Sequence, residues 1–300
     1  MGLNRREFLG LAAVGSATLL TGRSLAKDAH AEPIDCAETY GVLVDTVACI
    51  GCRKCEAACN RAHKLSDASA ATFEDKSVFN QHRRPDADAY TVVNRFEDPK
   101  DSSRKFTIKV QCMHCLHPAC ASACIVGALT KNAQGPVEYD AWKCIGCRYC
   151  MVACPFQVPA YEYHNALDPQ VRKCTFCSER ILTEGRLPAC VEICPNEALT
   201  FGKREELIAA ANSRIRAFPE RYVNHVYGEH EVGGTSWLYI APVEFKNTEL
   251  PVLAADVIPK TTETIQHGIF KSFVPPLALY GLLGLIMHSL RDRKEEKAEV

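Results

Sequence analysis

Sixteen of the chain's seventeen cysteines fall into four groups of four, and every group closes on the same C-x-x-x-C step. The first group, Cys49, Cys52, Cys55 and Cys59, sits in CIGCRKCEAAC, and the third, Cys144, Cys147, Cys150 and Cys154, repeats it as CIGCRYCMVAC. The second is Cys112, Cys115, Cys120 and Cys124, the fourth Cys174, Cys177, Cys190 and Cys194, and Cys36 stands alone. Three thiolates at a C-x-x-C-x-x-C pitch wrap one face of an iron–sulfur cubane, while the cysteine that follows points to a neighbouring cluster. Cys154-Pro155 and Cys194-Pro195 keep the proline that often ends such a run, whereas Asn60 and Ile125 replace it in the first two groups without disturbing the ligand pattern. Zinc is the competing reading of the fourth group, with its twelve-residue gap. Zinc sites, however, are built from two separated pairs, and the first and third groups repeat three cysteines at one pitch. Disulfides usually tie together distant loops, and a 300-residue chain has no need of such staples.

Spacing also assigns partners. Between Cys124 and Cys144 run two short strand-like stretches around an Asn/Gly/Pro turn signal, the connection expected inside one two-cluster unit. GVLVD precedes the first group and ALTFG follows the fourth, so the outer groups read as halves of a second unit split by the first. An internal repeat agrees: Val42, Asp45 and Cys49 recur 95 residues on as Val137, Asp140 and Cys144, and GALT at 127–130 recurs as EALT at 197–200. The expected fold class is α+β, two pseudo-symmetric bacterial-ferredoxin-like units with one inserted in the other, plus a single C-terminal transmembrane helix. The expected cofactors are four [4Fe–4S] clusters. Their assigned ligands are Cys49, Cys52, Cys55 with Cys194; Cys174, Cys177, Cys190 with Cys59; Cys112, Cys115, Cys120 with Cys154; and Cys144, Cys147, Cys150 with Cys124.

The elements around these groups are read as follows. Residues 60–106 are polar and irregular, surface loops inserted outside the core. Residues 202–218 predict an amphipathic helix with Leu207, Ile208, Ala211 and Ile215 on the face that packs on the cluster body. His114 and His117 are expected to pack or hydrogen-bond near sulfurs rather than ligate, and Arg53, Lys54 and Arg148 to tune the clusters or carry solvated charge. A chain that is 47% hydrophobic with a net charge of −1 gives no sign of a nucleic-acid partner. At the N-terminus Arg5 and Arg6 precede an apolar run to about Leu20 and A-x-A-like sites near Ala26 and Ala31, which reads as a twin-arginine export signal. FVPPLALYGLLGLIMHSL, 273–290, carries no formal charge and is followed by RDRK, which reads as a membrane span with a cytoplasmic end. His288 near that end reads as an interfacial residue.

This ordering, with QCMHC, CRYCMVACP, YGEHEVGGT and IQHGIFKSFVPPLA, resembles the HybA-type periplasmic ferredoxin-like subunit of membrane-bound uptake [NiFe] hydrogenases. The wider family includes β subunits of formate dehydrogenase and of polysulfide or DMSO reductases. Family variants carry Trp at one ligand position and a three-iron cluster, whereas every position here is Cys. The resemblance implies five segments: a 1–31 signal, a 36–205 four-cluster domain, a 206–265 extension, a 266–292 anchor and a 293–300 cytoplasmic tail. It implies a non-catalytic electron-transfer subunit at the periplasmic face of the cytoplasmic membrane, carrying electrons from hydrogenase small and large subunits to a quinone-reactive membrane subunit. A formate-dehydrogenase-type or other quinone-linked complex is the alternative setting. An iron–sulfur enzyme or sensor is the alternative class, and it would be marked by a missing ligand; none is missing.

Overall fold

A computed structural model of the chain describes residues 38–99, 101–260, 263 and 280–288. The expected signal at 1–31, Cys36 and most of the expected anchor and tail lie outside the described residues. Among the described residues up to 260, nine strands and seven α-helices follow one another: β1 (Tyr40–Asp45), α1 (Lys54–His63), α2 (Ala70–Glu74), β2 (Thr91–Asp98), β3 (Asp101–Gln111), α3 (Ala119–Ser122), β4 (Leu129–Lys131), β5 (Val137–Tyr139), α4 (Tyr149–Ala153), β6 (Ala160–Tyr161), β7 (Val171–Arg172), α5 (Ser178–Leu182), α6 (Ala189–Glu192), β8 (Leu199–Lys203), α7 (Arg204–Ala217) and β9 (Trp237–Ile240).

β1 is the central strand of a three-stranded sheet. It pairs antiparallel with β8, Val42 opposite Phe201, and parallel with β9, Val42 opposite Trp237. The β1–β8 pairing brings the flank of the first cysteine group against that of the fourth, while β4 and β5, paired antiparallel, lie between the second and third. The period of two in β1 sends Val42 and Val44 into the larger core and Leu43 to the opposite face, where it meets Leu207, Ala211 and Ile215 of α7 and Leu238 and Ile240 of β9. The α7 stripe is thus the predicted one, with Ile208 partly buried beside it.

Two expectations change. Residues 60–106 are not wholly surface loops, because β2 and β3 form an antiparallel ribbon that supplies Val92, Phe96, Phe106, Ile108 and Val110 to the main core. The alternation of apolar and polar residues over FTIKVQ is a strand signature, and the charged loops flanking it obscure the pattern. Residues 206–265 are more than an extension, since β9 completes the sheet and Trp237, Tyr239 and Ile240 are fully buried. Residues 280–288 are helical with their apolar side chains exposed, and among the described residues no helix is long and apolar enough to cross a membrane.

Candidate iron–sulfur centres

Each cysteine group folds as a tight loop running into a short helix, and the loops share one backbone device. The residue before the second cysteine is left-handed in all four: Gly51 (φ 65°), His114 (φ 48°), Gly146 (φ 69°) and Phe176 (φ 60°). Glycine adopts that region without strain, and at Gly51 and Gly146 a Cβ would come within 2.9 Å of Thr107 Cγ2 and 2.6 Å of Tyr161 Oη. His114 and Phe176 carry the strain of a non-glycine residue there. They are buried against each other, ring centroids 5.0 Å apart, where the two units meet. Past each loop a helix carries the third cysteine: Cys55 in α1, Cys120 in α3, Cys150 in α4 and Cys190 in α6. The fourth follows four residues on: Cys59 one turn further along α1, and Cys124, Cys154 and Cys194 just past the ends of α3, α4 and α6.

Cys49, Cys52, Cys55 and Cys194 line one cavity, Cys59, Cys174, Cys177 and Cys190 a second, and Cys124, Cys144, Cys147 and Cys150 a third. Cys115 interacts with Cys112, Cys120 and Cys154, the remaining set. The sets succeed one another in space: Cys55 interacts with Cys190, Cys174 with Cys112, and Cys120 with Cys150. That orders them as the Cys49, Cys59, Cys112 and Cys124 sets, with the junction of the two units between the middle pair.

Two features of this donor set bear on whether iron–sulfur clusters fit. Among the described residues no three ligand side chains converge tightly enough to hold a single metal ion, and the thiols instead stand around cavity walls. Burial pushes the thiols of Cys120 and Cys174 up to about 12 and that of Cys150 up to about 11. Left alone, such groups are neutral and poor donors; the positive charge of bound iron is what makes their thiolates stable in an apolar wall. Amide donors reach some sulfurs directly, Ala128 N–H to Cys124 Sγ at 3.2 Å and Phe176 N–H to Cys174 Sγ at 3.4 Å. His63 Nε2 lies 3.5 Å from Cys177 Sγ. The residues fit the group.

The charged and imidazole side chains beside the loops divide by burial. Arg53 is not solvated: it is 3% exposed, pairs with Glu56 at 2.9 Å and donates to the Thr72 and Asp75 carbonyls. Glu56 also accepts from Arg83 and from the Val93 amide at 2.7 Å, tying α1 to β2. Burial pushes its carboxyl up, but bonds from Arg83 and Arg53 outweigh this and hold it below its ordinary value. Lys54 is exposed. Arg148 is exposed and lies over Tyr161 and Tyr163, 5.5 and 5.9 Å from their ring centres. His114 is fully buried and its Nδ1 accepts from the Val137 amide at 2.8 Å. His117 packs over Gly233. Three buried or nearly buried lysines escaped the sequence reading. Lys109 interacts with Cys55, Cys59, Cys174 and Cys190, Lys131 with Cys112 and Cys115, and Lys173 with Cys120. Their signal was a lysine on the polar face of an alternating strand or beside a ligand, as in FTIKVQ and VRKC.

Residues 104–204 match the family described as a 4Fe-4S dicluster domain. The chain is 53% identical to a protein of Nitratidesulfovibrio vulgaris strain Hildenborough over 99% of this chain and 80% of that one. It is 34% identical to the hydrogenase-2 operon protein HybA of Escherichia coli O157:H7, over 98% of this chain and 97% of HybA. To the iron-sulfur subunit of the nitrate-inducible formate dehydrogenase of E. coli K12 it is 32% identical, over 82% of this chain and 83% of the other.

Proposed function

The chain belongs to the family of iron–sulfur subunits that includes HybA and the formate dehydrogenase iron-sulfur subunits, and from that premise we propose that it conducts electrons in single steps across a respiratory complex. Bound through the sixteen cysteines as assigned above, four [4Fe–4S] clusters would supply the one-electron carriers. The observation that carries the reading is the serial arrangement of the four cysteine sets, each near enough to the next for charge on its thiols to be felt there.

The protein's own part is to hold, space and insulate. Buried Phe176 and Trp237 flank the second cavity and exclude water from the interior of the path. The two ends approach the surface: Ile50 and Ile145, equivalent residues of the two CIGC loops, are 60% and 61% exposed. One end suits docking of an electron-donating catalytic subunit and the other a quinone-reactive membrane subunit. The hydrogenase setting is favoured because the likeness to HybA extends over 98% of the chain, against 82% for the formate dehydrogenase subunit. In this reading the chain has no catalytic residue of its own. It is exported by the twin-arginine route and held at the periplasmic face by the apolar 273–290 segment, whose residues 280–288 expose their apolar side chains.

Iron and acid-labile sulfide analysis of the anaerobically purified full chain tests the cofactor content. Four complete ligand sets predict about sixteen irons per chain, with the magnetic signatures of interacting cubanes. A preparation holding zinc, or about half that iron, overturns the assignment.

A further inference from the structure

Lys109 occupies a position that neither the cysteine pattern nor structural need explains. It lies on β3, on the face it shares with Thr107 and Gln111. Thr107 Oγ1 donates to the Cys49 carbonyl at 3.1 Å, and Gln111 Nε2 donates to Tyr239 Oη at 2.6 Å, so this face fronts the first two cysteine sets. Lys109 lines both of their cavities. The side chain is 2% exposed, its ammonium donates to Gln111 Oε1 at 2.8 Å, and it lies 4.3 Å from the centre of the Trp237 ring. Gln111 and Trp237 are both neutral, and among the described residues no carboxylate pairs with Lys109. An ammonium buried without an anion is expensive. What surrounds it are thiols from both sets, Cys55 of the first and Cys59, Cys174 and Cys190 of the second.

We propose that Lys109 is a shared counter-charge that raises the reduction potentials of the Cys49-set and Cys59-set clusters together. The role rests on the cluster assignment under Proposed function. A fixed positive charge favours whichever neighbour gains negative charge on reduction, by Coulomb attraction that a water-free interior leaves strong. Because one ammonium fronts both cavities, the transferred electron remains beside it before and after the hop. Lys109 therefore lifts the pair while altering the difference between its members less than a charge on one side would. The Cys112 set has its own cations in half-buried Lys131 and buried Lys173. The positioning device is the Lys109–Gln111–Tyr239 chain, closed by Tyr239 Oη donating back to the Lys109 carbonyl at 2.8 Å.

The test is a redox titration of the full, cluster-loaded chain followed by electron paramagnetic resonance, in wild type, Lys109→Met and Lys109→Arg. Lys109→Met keeps the length and removes the charge, and two of the four midpoint potentials are expected to move negative while the other two hold. Lys109→Arg retains the charge and is expected to leave all four near wild type. Should Lys109→Met not load its clusters, Lys109→Gln keeps a donor for Gln111 and gives the same readout. Unshifted potentials at full iron content, a shift in a single cluster, or a shift in all four overturns the shared role. Absence of cubane signals in wild type instead overturns the cluster assignment itself.

Discussion

At the scale of single residues, ligand and scaffold differ in how they mark the sequence. A cubane demands thiolates at short fixed steps, so the sixteen cysteines stand out by spacing alone, and the structure gathers them in the sets that this spacing paired. Residues that shape the surroundings carry no such period. Arg53 and Arg148 occupy equivalent places in the two CIGC loops with almost the same backbone, φ 65° and 61°, yet one is locked to Glu56 and the other is exposed. The difference arises from Glu56, which the third group replaces with Met151. Cys59 provides the sharpest residue-level test. It follows Cys55 on α1 but lines the cavity of Cys174, Cys177 and Cys190. Cys59→Ser is expected to weaken or convert the cluster of that second set while the signal of the Cys49 set persists, as read by electron paramagnetic resonance. Loss of the Cys49-set signal alone would reverse the pairing.

Elements were legible where a single period dominated. The α7 stripe announced itself at helical spacing, and the β4–β5 hairpin through its turn residues Asn132 and Gly135. The β2–β3 ribbon was obscured because its tip, EDPKDSSRK, and the approach to it, NQHRRPDAD, are strongly polar and outweigh the strands between. β9 was hidden for another reason: a strand of four residues, all buried, has no alternation to display. Its parallel pairing to β1 requires a long connection, which residues 46–236 supply, and α7, between β8 and β9 in sequence, packs on the sheet they share. Leu207 is 4% exposed and packs in the smaller core against that sheet, a cluster that contains no cysteine. Leu207→Ala is therefore expected to lower stability by about 2–5 kcal/mol, from lost transfer energy and the cavity left behind. Iron content and cluster spectra of the folded protein should match wild type. Thermal unfolding with iron analysis checks both halves.

At the scale of the whole molecule, the proposed anchor and the cysteine sets occupy separate parts of the chain. Every grouped cysteine lies between 49 and 194, and among the described residues the last sheet strand ends at Ile240 and the main core draws on nothing later than Leu250 and, at its margin, Leu253. Deleting residues 266–300 removes no cysteine and no core member found among the described residues, so the truncated chain is expected to fold and to bind iron like the full chain. What it loses is the proposed means of attachment. The 273–290 segment carries no formal charge, and an apolar segment of that length held in a membrane would keep the terminal cluster against a membrane partner continuously, where surface contacts alone make each encounter bimolecular. The expected result is recovery of the truncated protein in the soluble fraction with unchanged cluster spectra, and a fall in donor-to-quinone turnover in membranes. Fractionation, spectroscopy and turnover measure the three separately. If the truncated chain remains bound to membranes and turnover is unchanged, 273–290 is not the anchor, and attachment must come through the partner subunits that dock at the exposed ends of the cluster path.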